Sequence, residues 1–315
     1  MELKNQSAVQ DFILVGLSSS SEHQKIIFWG FTLIYATALS TNFLFIFTLS
    51  TCRKLHTPMY FLLIHLSIAN MFCISVTIPK MLQNTLASRK TISFSGCIAQ
   101  VYFFLWALGT EILLLSFMAF DRFIAICHPL QYTVIMRREV YIGVVAGVWV
   151  AGMINSAIHT GLVLRLSFCD SNVINHFFCD LPPLLMLSCS DISLNETMAY
   201  VADAVFSMGS CLLTLTSYLL ILATIFRIQS TEGKKKAFST CSSHLLVVSF
   251  YFSTIIYTYI RPTSTSSQEE NKVIAILYSV VTPVLNPVIY SLRNKDVKEA
   301  LKKLTGRSLL RVSVG

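Results

Sequence analysis

Charge is what this sequence has least of. Only 13% of its 315 residues are Asp, Glu, Lys or Arg, about half the share of an ordinary soluble domain, roughly 25%. The scarcity is concentrated in blocks. No charged residue occurs in 26–52, 55–79, 91–110 (resuming at 112–120), 140–164, 204–226, 237–260 or 273–292. Each block reaches the roughly 20 residues that cross a hydrocarbon core about 30 Å thick. A water-soluble helical protein needs polar faces recurring every few residues, and these blocks supply none. Also missing are an internal repeat, a low-complexity tract and, in residues 1–25, an apolar core followed by a small-residue cleavage site, so the first span is expected to act as its own insertion signal. The seven histidines (23, 56, 65, 128, 159, 176 and 244) never fall as a pair at metal-ligand spacing on one helix, which removes the usual signature of a metalloenzyme. A transporter built from paired broken helices is disfavoured because a single span, the last, is interrupted by proline without a counterpart in the other half.

What remains is an all-α membrane protein with a bundle of seven transmembrane helices. Lysine and arginine orient it. With the amino terminus outside, Lys4, Lys25, Lys80, Arg89, Lys90, Arg165, Arg261 and Lys272 face outward and the other sixteen of the 24 basic residues face the cytosol. The net charge of +8 then reflects cytosolic basic residues near anionic lipid and gives no sign of nucleic-acid binding. The chain divides into an extracellular segment 1–25, a seven-span domain 26–292 and a cytoplasmic tail 293–315. In the tail, Val297, Ala300, Leu301 and Leu304 make one apolar face among lysines, which predicts a short amphipathic helix on the inner membrane surface.

Two features agree with this orientation. The sequons at Asn5 and Asn195 both fall outside, and Asn5 is the expected glycosylation site, Asn195 lying close to a span. Cys97, Cys169, Cys179 and Cys189 also lie outside, where disulfides persist; four cysteines allow three pairings. Cys52 and Cys127 face the reducing cytosol with Cys241 near it, and Cys73 and Cys211 read as small buried hydrophobes. The connector 163–197, which carries three of the outer cysteines, is long for a structureless link, and tethered to the third span it would form a lid.

Three positions inside or at the ends of spans carry chemistry. Glu111 interrupts an apolar span, which is costly unless it faces the bundle interior and finds a partner. Asn70 and Asn286 are candidate partners, with a cation or a proton completing the group, or Glu111 is a neutral acid in the core. Arg122, next to Asp121, lies eleven residues further along, roughly 16 Å nearer the cytosol on a helix. It is either an arginine held by an acid until a partner arrives, or an interfacial anchor. Pro287 breaks the last span and frees a backbone carbonyl that neighbours or water must satisfy. His176 beside Cys179 offers a weak soft-metal pair, against the plainer reading of a polar loop residue.

The segments LHTPMYFLL (55–63), PKML (79–82), MAFDRFIAICHPL (118–130), KAFSTCSSHL (236–245) and PVLNPVIYSLRN (283–294), in that order on the second, third, sixth and seventh spans, resemble the signature segments of vertebrate olfactory receptors, within the rhodopsin-like G-protein-coupled receptors. The resemblance runs from about Asp11 to Leu304. It implies that Arg122 engages a G protein and Asp121 restrains it, that Tyr218 and Tyr290 swing toward Arg122 on activation, that Tyr251 is a switch at the pocket floor, and that His244, Asn286 and Pro287 belong to the same machinery. It implies disulfides Cys97–Cys179 and Cys169–Cys189. It raises one cofactor, a sodium ion shared with Glu111, yet Asn70 stands where the family has aspartate (LSIAN for LSxxD). Phe120 and Phe123 replace tyrosines, and STN at 40–42 replaces Gly-Asn.

By that resemblance the ligand pocket opens outward between spans three, five, six and seven. Helical spacing from Arg122, Tyr218, Tyr251 and Pro287 points to Phe104, Leu105, Leu108, Val205, Phe206, Ile255, Tyr259 and Ile276, with Tyr251 and Tyr259 able to orient a polar group. Mostly apolar walls suit a small hydrophobic volatile. The implied partners are that ligand, a heterotrimeric stimulatory G protein that raises cyclic AMP, and membrane lipid, with no nucleic acid and no enzymatic activity. The implied location is the plasma membrane, in the cilia of olfactory sensory neurons. A receptor for a non-odorant small molecule outside the olfactory epithelium is the alternative.

Overall fold

The computed structural model describes residues 9–18, 20–169, 171–260 and 268–312; within these, the side chains of 21, 236, 237, 239, 240, 255–260, 268, 292, 293, 295 and 305–312 are also outside the description. Strand β1 (Asp11–Leu14) leads into α1 (Ser21–Thr51), the first span, and α2 (Pro58–Leu86) follows with proline at its first position, where the missing N–H costs nothing. Strand β2 (Thr91–Ser93) precedes α3 (Phe94–Cys127), whose start is capped by the Ser93 hydroxyl accepting from the Gly96 N–H at 3.1 Å. The short α4 (Tyr132–Ile135) separates α3 from α5 (Arg138–Val163).

The outer connector then holds β3 (Val173–Ile174) and α6 (Leu181–Leu185). The fifth span is continuous from α7 (Ser193–Ala202) through a π-helical turn (Asp203–Met208) into α8 (Gly209–Arg227). The sixth is α9 (Thr231–Ile260). The seventh runs from α10 (Gln268–Ile276) through a second π turn (Leu277–Val281) into α11 (Thr282–Arg293), and α12 (Lys295–Val312) closes the chain.

Six of these spans are long and apolar enough to cross a membrane by composition among the described residues. Helix α9 is 30 residues long, with Lys234–Lys236 and a run of Ser, Thr and Cys in its first turns, and the side chains of its last six residues lie outside the description. The spans exceed the uncharged blocks. Helix α2 continues six residues past Lys80 and α3 five past Arg122, because a charge near the membrane surface does not end a helix; loss of backbone pairing does.

Helix α3 is the axis, packed on α2, α5 and α8 and touching α9; α1 packs on α2 and α11. Contact between α3 and α5 is close because position 152 is glycine: a Cβ there would lie 2.8 Å from Thr110 Oγ1 and 3.1 Å from the Trp106 carbonyl oxygen. The same seam is stitched by the Trp106 indole donating to the Trp149 carbonyl at 2.9 Å and by the Ser156 hydroxyl donating to the Tyr102 carbonyl.

One end of the bundle carries a lid that sequence reasoning gave only to the connector after the fourth span. The N-terminal strand β1 is its centre, antiparallel to β2 (Phe12 opposite Ile92) and parallel to β3 (Leu14 opposite Ile174). Phe12 and Leu14 turn inward onto a cluster with Val101, Val163, Ile174 and Leu184, while Asp11 and Ile13 are exposed. Cys97 and Cys179 are bonded, Cα atoms 5.4 Å apart, fixing the lid to the top of α3, and Cys169–Cys189 closes the connector on itself.

At the other end, α12 is the helix that the pattern of the tail predicts, and part of its apolar face is covered by the bundle. Val297, Ala300 and Leu301 pack onto the bundle core beside Leu55, and the Asn294 amide donates to the Tyr60 hydroxyl at 2.9 Å.

Candidate functional site

Arg122 and Asp121 sit on the cytoplasmic part of α3, Asp121 1% and Arg122 12% exposed at the side chain. Arg122 Nε lies 3.9 Å from Asp121 Oδ2, and the Tyr132 hydroxyl donates to the other oxygen, Oδ1, at 2.8 Å. One carboxylate thus faces the arginine through Oδ2, which has no hydrogen-bond partner among the described residues, and is bonded to the inner connector through Oδ1. Burial, then Asp121, push the Tyr132 phenol well above its ordinary pKa, so it stays a donor. Tyr132 was not singled out in the sequence; its place four residues beyond His128 gives no signal without the fold.

A second tie joins three spans. His244 on α9 lies 2% exposed between Tyr218 on α8 and the Leu115 carbonyl on α3, with Nδ1 2.6 Å from the Tyr218 hydroxyl and Nε2 3.0 Å from the Leu115 oxygen. A carbonyl only accepts, so Nε2 carries the proton and, in a neutral ring, Nδ1 accepts from Tyr218. Tyr218 is therefore committed to His244 and not to Arg122. Tyr290 is 3% exposed and its hydroxyl has no hydrogen-bond partner among the described residues. Arg122 lies within electrostatic range of Tyr60, Tyr218, Cys241, His244 and Tyr290.

Glu111 is fully buried, and neither carboxyl oxygen has a hydrogen-bond partner among the described residues. Asn70 and Asn286, expected to serve it, instead serve each other. The Asn286 amide donates to Asn70 Oδ1 at 3.1 Å, and the Asn70 amide reaches Asn42 Oδ1 at 3.5 Å. Asn42 in turn donates to the carbonyls of Ala38 (2.8 Å) and Pro283 (2.9 Å). Pro287 has no N–H to offer the carbonyl four residues earlier, which is that of Pro283; Asn42 fills the place. Among the described residues no three His, Cys, Asp or Glu side chains gather as a metal site, and Cys179 is unavailable to His176 because its sulfur is in a disulfide.

Under the lid, Phe104 is 1% exposed with its ring edge-on to Phe178 at 4.9 Å and tilted to Tyr278 at 5.9 Å. Leu105, Leu108 and Ile276 pack partly buried around the same cluster, and Phe206 lies against Gly109. Tyr251 is buried with its hydroxyl unpartnered. Val205 is a correction: it is 61% exposed on the outside of the bundle, because the π turn Asp203–Met208 alters the helical register from which it was extrapolated. The side chains of Ile255 and Tyr259, and the whole of Asn5, lie outside the described residues. Asn195 is 4% exposed within α7, a poor position for glycosylation.

Two residues that sequence reasoning missed hold the lid. Gln100 on α3 donates to the Val76 carbonyl on α2 at 2.8 Å and accepts the Cys179 N–H at 2.8 Å. Tyr278 on the second π turn donates to Asp180 Oδ2 at 2.8 Å, while Asp180 Oδ1 accepts the Leu181 N–H and starts α6. Burial lowers the pKa of His176 on the lid, against a smaller opposing pull from Asp180.

Lid, long third helix and a seventh span broken by proline make up a seven-helix membrane bundle. The crystal structure of squid rhodopsin superposes on it with a TM-score of 0.70 over 93% of this chain and 88% of that one, at 14% identity. The family profile described as olfactory receptor matches residues 31–307. Among curated relatives, human olfactory receptor 13G1 is 46% identical over 95% of this chain and 98% of its own, human olfactory receptor 5F1 47% over 98% of each, and mouse olfactory receptor 5AP2 49% over 96% and 95%. The chain belongs to the olfactory receptor family.

Proposed function

We propose that the protein binds a small, mainly hydrophobic volatile between spans three, five, six and seven and passes the event to a heterotrimeric stimulatory G protein, raising cyclic AMP, at the plasma membrane of sensory cilia. One observation carries the coupling half of this reading: α9 is tied to α3 and α8 by the Tyr218–His244–Leu115 chain while Arg122 is held by Asp121. Both ties would oppose outward movement of α9, as a resting receptor requires. A ligand shifts such an equilibrium only by binding the open state more tightly. Phe104, Leu105, Leu108, Phe206 and Ile276 provide apolar surface for that, with the unpartnered Tyr251 hydroxyl able to orient a polar group.

In this reading Asp121 and Tyr132 restrain Arg122. Once His244 leaves with α9, Tyr218 is freed to turn to Arg122, and Tyr290 has no bond to lose. Asn286 and Pro287 keep the seventh span's break in register through Asn70 and Asn42. Cys97–Cys179 and Cys169–Cys189 hold the lid, and Asn5 is the glycosylation site.

We infer that Asn70 and Glu111 do not fit a sodium ion. The pair supplies one carboxylate, and the Asn70 oxygen already accepts from Asn286.

The test is expression with an olfactory stimulatory G protein and a cyclic AMP readout against a panel of volatiles, with Arg122→Ala as control. A response lost in the variant supports the reading. Silence across the panel with confirmed surface expression counts against an odorant ligand, and a response indifferent to Arg122→Ala removes the switch.

A further inference from the structure

On the outer face a small cavity lies where the N-terminal segment, α1, α2 and the lid meet, with Ser18, Gln24, Asn84, Lys90 and Phe177 in its wall. It has room for the centre of one water-sized sphere, about 10 Å³, the size at which a cavity begins to hold a single water or small ion.

Two donors of this wall are turned to a single acceptor. Lys90 Nζ and Gln24 Nε2 both point at one oxygen, the Ser18 carbonyl, each at 3.3 Å. Asn84, 5% exposed, has an amide nitrogen with no hydrogen-bond partner. An ammonium offers three hydrogens and an amide two, yet among the described residues no carboxylate comes within ion-pair distance of Lys90. A buried donor left unmet is destabilising, more so beside a charge. Water would bring two further donors into a site already rich in them. An anion brings acceptor capacity alone and a charge opposite to that of Lys90.

We propose that this cavity is an anion site, taking chloride or a halide of similar size, with Lys90 and Asn84 as its ligands. The site joins three separate stretches. Lys90 precedes β2, Asn84 is in the last turn of α2, and the Ser18 carbonyl that Lys90 also meets leads into α1. A bound anion therefore braces the N-terminal segment against α2 at the edge of the lid, remote from the pocket and from Arg122.

The experiment is thermal unfolding of the full-length receptor, purified in lipid nanodiscs, in sodium chloride, sodium bromide and sodium gluconate at equal ionic strength. The wild type is expected to melt about 2 °C or more higher in the two halides than in gluconate. In Asn84→Asp a carboxylate of the protein stands beside Lys90 in the anion's place, and its melting temperature is expected to be the same in all three salts. Lys90→Gln is expected to lose the halide increment as well. Equal melting of the wild type in chloride and gluconate overturns the proposal, since the cavity then holds water or nothing. A halide increment that persists undiminished in Asn84→Asp and Lys90→Gln overturns it too, by placing the anion elsewhere.

Discussion

Asn42 donates to the carbonyl of Pro283 at 2.9 Å, the one acceptor that Pro287 leaves without its helical partner. The first span thereby completes the backbone of the seventh. Asn42→Ala leaves that carbonyl unmet in a buried setting, at a cost of about 1–3 kcal/mol. A fall in melting temperature of the purified receptor is expected. An unchanged value would mean the proline break is satisfied some other way.

Tyr132→Phe removes the hydroxyl that holds Asp121 from the inner connector and keeps the ring. With the restraint on the Asp121–Arg122 pair weakened, basal cyclic AMP is expected to rise roughly tenfold or more, the equivalent of losing one hydrogen bond to a charged group, about 1.5 kcal/mol at the least, from the resting state alone. Basal signalling at the wild-type level, at equal surface expression, would show that the bond does not restrain the switch.

Gly152→Ala drives a methyl to 2.8 Å from Thr110 Oγ1 and 3.1 Å from a backbone oxygen that cannot move cheaply. Overpacking of this kind costs about 1–3 kcal/mol, read as lower melting temperature and surface yield. Adding Thr110→Ala should recover part of the loss, because it removes the nearer clash but not the carbonyl. Full additivity of the two substitutions would argue against contact.

Acid should loosen the lid. The His176 pKa is lowered from its ordinary value of 6.5 by burial, so the folded lid binds fewer protons than the open one. Its contribution is complete above about pH 6.5 and is lost as the pH falls below that value toward the folded pKa. The protection of amides in residues 173–185, taken from hydrogen exchange relative to the intrinsic base-catalysed rate at each pH, should fall between about pH 7.5 and about pH 5.5, and less so in His176→Phe. An equal loss of protection in the variant would assign the acid effect to another group.

The spans were legible because hydrocarbon excludes charge so strongly that gaps alone mark them. Their ends were not, since Lys80, Asp121 and Arg122 remain helical. The signature segments carried Arg122, His244 and Tyr290, and Tyr218 came only from the family resemblance. Partnerships were harder to read than positions: Asn70 and Asn286 were matched to Glu111 because all three are polar in apolar spans, whereas Asn42, overlooked as a donor, draws both into its own chain. Val205 was misplaced by a π turn, which leaves no mark in hydrophobic spacing when the helix around it faces lipid. Strand β1 has only four residues, too few for an alternating pattern to stand out.

That strand also dictates an order of assembly. Residues 11–14 are made first, yet they pair with 91–93 and with 173–174, which emerge only after two and four spans respectively have been threaded. The leading end must therefore wait on the outer side until two spans are threaded before it can pair with 91–93, and its other edge stays open until more than half the chain is in place. Any fusion or trimming close ahead of Asp11 acts during biogenesis on the last part of the lid to close, long before a ligand is met.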